Sequence, residues 1–201
     1  MIGARAAFER CLAELRALHA ACPAIASFAP LPDSLAEQPV MPHDIPAARL
    51  MEEDDGLFSD GFEAMRDAFI AASPHAQWRE TYKGTRMGPD FMNRFACYCL
   101  VGSGGPFVSD SLGAYVVYMP PGLYYPYHHH PAEELYFILA GEAEFLMEGA
   151  PSKTLRPGDH VFHPSNRPHA TRTHAHPFMA LVLWRGNMSV KPVLTHPDGE
   201  P

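Results

Sequence analysis

The chain has 201 residues, 47% hydrophobic and 19% charged, enough for one globular domain with a core plus an appendage. The formal charge of −8 comes with no basic stripe, which argues against a nucleic-acid partner. No stretch reaches eighteen uncharged apolar residues, and Glu9 and Glu14 interrupt the N-terminal apolar pattern, so neither a membrane span nor a secretory leader is expected and a cytoplasmic protein is read.

Phe8, Leu12, Leu15, Leu18 and Cys22 recur at three- and four-residue steps and predict an amphipathic helix that Pro23 ends. A Pro-rich passage runs from there to Pro46, followed by an acidic cluster, Glu52 to Asp55, read as a solvated loop. A second helix is expected over residues 60–72, with Phe62, Met65 and Phe69 on one face, and a third over "HAQWRETY", burying Trp78 and Tyr82. The helical third then ends around "GTRMGPD".

From residue 93 the texture changes. Short runs such as "FACYCLV", "AYVVYMP", "ELYFILAG", "HVFHP" and "FMALVLW" alternate with Gly, Pro and Asn, as in an all-β sandwich or barrel. Residues 1–92 are therefore read as a helical region packed on a β-barrel of residues 93–201. Of the four cysteines, Cys97 and Cys99 have no zinc-finger spacing and read as strand residues; free thiols are expected.

The compositional anomaly is histidine. There are twelve, and seven lie between His128 and His174. In "GLYYPYHHHPAEELYFILAG", strand alternation turns His128 and His130 to one side and His129 to the other, while Glu134 and Tyr136 share a face on the next strand. Two imidazoles and a carboxylate aimed into one barrel mouth make three legs of a metal site. A fourth is expected from "PGDHVFHPSNRPHATRT", where His169 follows the turn at Pro164. His160 and His163 flank that turn, one of them a candidate for contact with the pocket; His174 and His176 read as a loop, and His19, His43 and His75 are expected to donate no metal ligand.

These spacings resemble the cupin superfamily. Gly122, His128, His130, Glu134 and Gly141 fill every position of its first motif; Gly158, Pro164 and His169 match the second, with Asn166 and Thr173 in place of Gly and Asn. Asn tolerates the left-handed turn that Gly would take. The resemblance implies a mainly β fold, a cupin (double-stranded β-helix, or jelly-roll) barrel. Three imidazoles and a carboxylate suit one divalent transition metal ion, Fe, Zn, Mn, Ni or Co, and leave coordination positions open for substrate.

"YYPYHHHPAEELYFILAGEAEF", "HPSNRPHA" and "ALVLWRG" sharpen the resemblance to the cupin-type dimethylsulfoniopropionate (DMSP) lyases of the Q type. That resemblance implies a metal on His128, His130, Glu134 and His169, and cleavage of DMSP to dimethyl sulfide and acrylate by β-elimination. Tyr136 would be the base, or a metal ligand displaced by substrate. Tyr125, expected at the rim, would position or deprotonate the substrate. Trp184 would line the pocket, with Tyr124 and His129 as further substrate contacts; Tyr118 and Tyr127 read as packing. The chemistry agrees: a carboxylate, a weakly acidic α-proton and a sulfonium call for a cation, a strong base and aromatic rings. The expected partner is this small zwitterion, with the chain a monomer or homodimer. Two readings compete: a cupin dioxygenase using Fe(II), which has no need of a phenolic base, and a non-enzymatic small-ligand-binding cupin.

Overall fold

The computed structural model describes residues 3–196. Helix α1 (Ala4–Ala21) buries Ala7, Phe8, Cys11, Leu15 and Leu18 along one stripe, and Cys22 leaves it in an extended conformation. The Pro-rich passage is less irregular than expected. Proline lacks an N–H and fixes φ near its helical value, so it suits a first helical turn. Pro23 opens α2 (Pro23–Phe28) and Pro46 opens α3 (Pro46–Glu52). The second expected helix is α4 (Glu63–Ala72), which buries Met65, Ala68, Phe69 and Ala72. "GTRMGPD" leads into α5 (Gly88–Arg94) rather than out of the helical part.

The helix expected over "HAQWRETY" does not form. After a short 3₁₀ turn the chain is extended: the Trp78 N–H donates to His43 O (3.1 Å) and the Arg79 N–H to Cys97 O (2.8 Å). Trp78 and Tyr82 are buried as expected, but Trp78 by its bridge to Tyr98 and Tyr82 by ring contacts with Phe91 and Tyr125, not by helical phase. The acidic cluster is also tied down in part. Asp54 accepts hydrogen bonds from Tyr118 Oη (2.6 Å) and the Gly56 N–H (2.8 Å), and Glu52 from Ser73 Oγ (2.5 Å).

The strands are β1 (Ala36–Glu37), β2 (Ala96–Val101), β3 (Phe107–Val108), β4 (Gly113–Met119), β5 (Tyr124–His129), β6 (Ala132–Gly141), β7 (Ala143–Met147), β8 (Lys153–Leu155), β9 (His160–His163), β10 (His169–Arg172), β11 (Phe178–Gly186) and β12 (Val193–Leu194). They form a seven-stranded sheet in the order β1-β3-β2-β4-β11-β6-β9 and a five-stranded sheet in the order β12-β5-β10-β7-β8. Among the described strands only β2 and β3 pair in parallel. This is the expected two-sheet cupin barrel with helices before it.

Strand β6 shows why the apolar runs are nearly unbroken: it is buried on both faces. Leu135, Phe137 and Leu139 join the core under α1 and α4, while Tyr136 and Ile138 join the core between the sheets. Glu134, in phase with Tyr136, therefore faces the barrel interior. Two turns carry the motifs. Asn166 does adopt the left-handed conformation, with φ 57°. At Gly141 (φ 70°) a Cβ would stand 1.8 Å from Pro177 O, so only glycine lets these backbones meet. Thr173, in place of the motif's Asn, holds its turn by donating to Pro120 O (2.6 Å) and accepting from the Leu123 N–H (2.9 Å). The four cysteines are free. No helix of the described residues is long and apolar enough to cross a membrane.

Candidate metal centre and active site

The two sheets bring the motifs together at one end of the barrel. His128 on β5 lies directly across from His169 on β10, and Glu134 on β6 lies between His163 on β9 and Trp184 on β11. The donor atoms of His128, His130 and His169 all fall within 4.8 Å of one another, as do those of Glu134, His163 and His169. All five side chains are buried.

Each of the three expected imidazole ligands is locked in one tautomer. Nδ1 of His128 bonds Pro126 O (2.8 Å), that of His130 bonds Ala132 O (3.0 Å) and that of His169 bonds Arg167 O (2.8 Å). A carbonyl oxygen cannot donate, so Nδ1 carries the hydrogen and Nε2 of the neutral ring keeps its lone pair. Those lone pairs converge on the carboxylate: Glu134 Oε2 is 3.0 Å from His169 Nε2 and 3.5 Å from His130 Nε2. Yet Nε2 of His130 and of His169 has no aligned hydrogen-bond partner and no solvent. Buried acceptors facing one another without a proton between them fit a cation, and the donor set of imidazoles and one carboxylate suits a divalent transition metal.

The electrostatics agree. Burial and the neighbouring His169 hold His128 well below the usual imidazole range, in the neutral form a metal needs. Burial alone would raise the Glu134 carboxyl, but positive charge at His130 and the N–H of His163 outweigh it and hold the group ionised, well below its ordinary value, so the carboxylate is a centre that draws positive charge. The carboxylate's charge raises His130 against the effect of its own burial.

A cavity of about 1060 Å³ opens onto this cluster and is lined there by Tyr125, His128, His130, Glu134, Tyr136 and Trp184. Tyr136 is buried, its ring 5.6 Å from His163 and 5.3 Å from Phe145; burial first and then Glu134 push its phenol well above the ordinary range. Tyr125 is not at the rim. It is 4% exposed, stacks on the His128 ring at 3.9 Å and 12°, and shares a 2.6 Å hydrogen bond with Tyr82 Oη. The cause is the chain before β2: the turn bearing Tyr82, Phe91 of α5 and Phe95 just after it fold over Tyr125. Among the described residues no metal-capable group includes a residue of the helical region, which supplies this cover and part of the cavity wall at Gln38, His43 and residues 77–81.

Trp184 lines the cavity and does more than line it: its Nε1–H donates to Glu134 Oε1 at 2.6 Å, and its ring lies 4.3 Å from that of His130. Two expected substrate contacts do not line the cavity. Tyr124 alternates with Tyr125 and packs beneath Arg172, and His129 points away, its Nδ1 3.0 Å from Thr195 Oγ1. Sequence reasoning left His163 undecided between pocket and surface. It is fully buried, stacked on His169 at 4.0 Å, with Nδ1 3.0 Å from Glu134 Oε2. Its cross-strand pairing with Glu134 is the signal, and that exists only once β6 and β9 are aligned.

Comparison with known proteins adds independent findings. A family model for dimethylsulfoniopropionate lyase matches residues 20–180. The chain is 68% identical over 194 residues to dimethylsulfoniopropionate lyase DddQ of Ruegeria pomeroyi, covering 96% of each protein. The crystal structure of DMSP lyase DddQ from Ruegeria pomeroyi DSS-3 superposes with a TM-score of 0.95 over 96% of this chain and 98% of that one. A chain from the crystal structures of the DMSP lyases RdDddP and RnDddQII is 40% identical, with a TM-score of 0.90 over 96% of this chain and 100% of that one.

Proposed function

The chain belongs to the dimethylsulfoniopropionate lyase family, and on that premise we propose that it cleaves DMSP to dimethyl sulfide and acrylate at the histidine–glutamate cluster. The observation that carries the reading is the set of partnerless, tautomer-locked Nε2 atoms around Glu134 Oε2, at the foot of a cavity walled by tyrosines and tryptophan.

His128, His130, Glu134 and His169 would hold one divalent transition metal ion. Such an ion supplies a positive charge that stabilises both the negative charge growing on the substrate carboxylate and a phenolate beside it. Tyr136 Oη is the base that takes the α-proton. The C–H electron pair becomes the second bond between the α- and β-carbons, the β-carbon–sulfur bond breaks, and its electrons leave on sulfur. Dimethyl sulfide and acrylate result, and the proton rests on Tyr136. The four proposed ligands are poor candidates for the base, because each imidazole has one nitrogen bonded to a carbonyl and the other aimed at the metal position, and both oxygens of Glu134 already accept hydrogen bonds, from Trp184 and His163.

Tyr125 is a positioning residue with a secondary claim to be the base. Its stacking on His128 and its bond to Tyr82 fix a ring at the cavity wall. Tyr136 and Trp184, which line the cavity, offer aromatic surface to the sulfonium, worth about 0.5–2 kcal/mol per contact. The test is direct: metal-loaded protein is given DMSP and the headspace is assayed for dimethyl sulfide together with acrylate in solution. Release of both in equal amounts is expected; neither appearing above the heat-treated control would end the reading.

A further inference from the structure

Glu134 sits on β6, an inner strand, so it has a cross-strand neighbour on each side: Trp184 on β11 and His163 on β9. Both neighbours donate to it. The Trp184 indole N–H reaches Oε1 at 2.6 Å and His163 Nδ1 reaches Oε2 at 3.0 Å. An indole can only donate, and a carboxylate only accept, so these hydrogen bonds have one sense each. The result is asymmetric. Oε1 is turned to the indole, while Oε2 is the oxygen beside the imidazole lone pairs, 3.0 Å from His169 Nε2 and 3.5 Å from His130 Nε2.

We propose that Trp184 and His163 are a two-sided clamp that fixes the Glu134 carboxylate as a one-oxygen metal ligand, offered through Oε2. The inference rests on the four-residue metal site proposed above. It gives Trp184 a task besides walling the cavity, and gives His163, which does not line the cavity, a task at the centre. Without the clamp the carboxylate can rotate about its terminal torsion, which has a broad energy profile. It could then turn either oxygen, or both, to the ion. Held, it presents one oxygen and leaves the remaining coordination positions for substrate. His163 is buried against His169, with their rings stacked at 4.0 Å and 16°, so its own orientation is fixed in turn.

The test reads metal affinity rather than turnover. Co²⁺ is titrated into metal-free protein against a chromophoric chelator, for the parent and for Trp184→Phe, His163→Ala, His163→Asn and Glu134→Ala. Trp184→Phe and His163→Ala should each weaken Co²⁺ binding about 10–100-fold. His163→Asn should restore most of the loss, because the asparagine amide N–H falls where Nδ1–H was. Parent affinity in both Trp184→Phe and His163→Ala would overturn the clamp. So would an Asn variant as weak as the Ala variant, since a packing role or direct ligation by His163 would predict that. Should Trp184→Phe fail to fold, the His163 Ala–Asn comparison decides alone. Glu134→Ala separates the two levels: if it too binds Co²⁺ like the parent, the ligand assignment itself has failed, whereas loss there with parent affinity in the clamp variants removes the clamp only.

Discussion

Replacing Tyr136 with Phe removes one oxygen from a ring that stays where it was. Its contacts with Phe145 at 5.3 Å, His163 at 5.6 Å and Phe178 at 6.5 Å are ring contacts that Phe keeps. Folding stability should therefore change by less than about 1 kcal/mol. Turnover should fall far more. A positioned general base contributes about 10²–10⁴-fold, or about 3–5 kcal/mol of barrier. Burial and Glu134 push the phenol well above the ordinary tyrosine range, so at neutral pH it is protonated until a cation stands beside it. A base must lose its proton to act, so kcat/KM of the parent should rise tenfold per pH unit on the acid side and level off above the working pKa. Tyr136→Phe should lose that limb. The comparison is Tyr125→Phe, which strands the buried Tyr82 hydroxyl that shares its 2.6 Å bond. That change should cost about 1–3 kcal/mol of stability and a smaller share of turnover. Both variants are assayed for dimethyl sulfide at matched metal content, with urea unfolding alongside. Near-parent turnover in Tyr136→Phe, or a deeper loss in Tyr125→Phe, would refute Tyr136 as the base.

Three other outcomes are expected. Gly141→Ala, at φ 70° and with its Cβ 1.8 Å from Pro177 O, should lower stability by at least about 1–3 kcal/mol in urea unfolding, because neither backbone can withdraw without unpairing β6 from β11. Chelation should abolish dimethyl sulfide release while far-UV circular dichroism is preserved, and added metal should restore release, because the two cores do not depend on the ligand cluster. The metal-free protein should weaken in acid: burial lowers His163 from 6.5 to about 4, so the folded state resists its protonation. Its share of stability is complete above pH 6.5 and is lost as pH falls towards 4, about 3 kcal/mol in all, a loss that His163→Asn should reduce in acid unfolding curves.

Where chain-local physics decides, the sequence could be read. The stripe from Phe8 to Leu18 is a local pattern and became α1. The spacing from Gly122 to Gly141 marks two consecutive strands with their turns and became β5 and β6, one in each sheet. Elsewhere a long-range pairing overrode the local signal. Trp78 and Tyr82 stand four apart, as a helix would place them, but the Trp78 N–H goes to His43 O and the Arg79 N–H to Cys97 O. Tyr125 was expected at the rim because nothing near it in the chain covers it. Its cover is Tyr82, 43 residues away, with Phe91 and Phe95.

The same division runs through the site and explains its two kinds of support. Each imidazole proposed as a ligand is oriented by a carbonyl two residues away: Pro126 for His128, Ala132 for His130, Arg167 for His169. That support travels with the short motif, so the spacing that marks the ligands also carries what holds them. A carboxylate has no N–H to anchor on its own backbone, and its terminal torsion is soft. It must take its donors from elsewhere, and they come from 29 residues away in His163 and 50 in Trp184. Only an inner strand supplies a neighbour on both sides, and β6 is one, between β11 and β9. The alternation that points Glu134 inward also points Tyr136 inward two residues on, so one strand sets both the proposed ligand and the proposed base. A one-residue slip of β6 would turn both into the helix-facing core and bring in Leu135 and Phe137 instead. The register of β6 is therefore as much a part of the active site as the residues it carries.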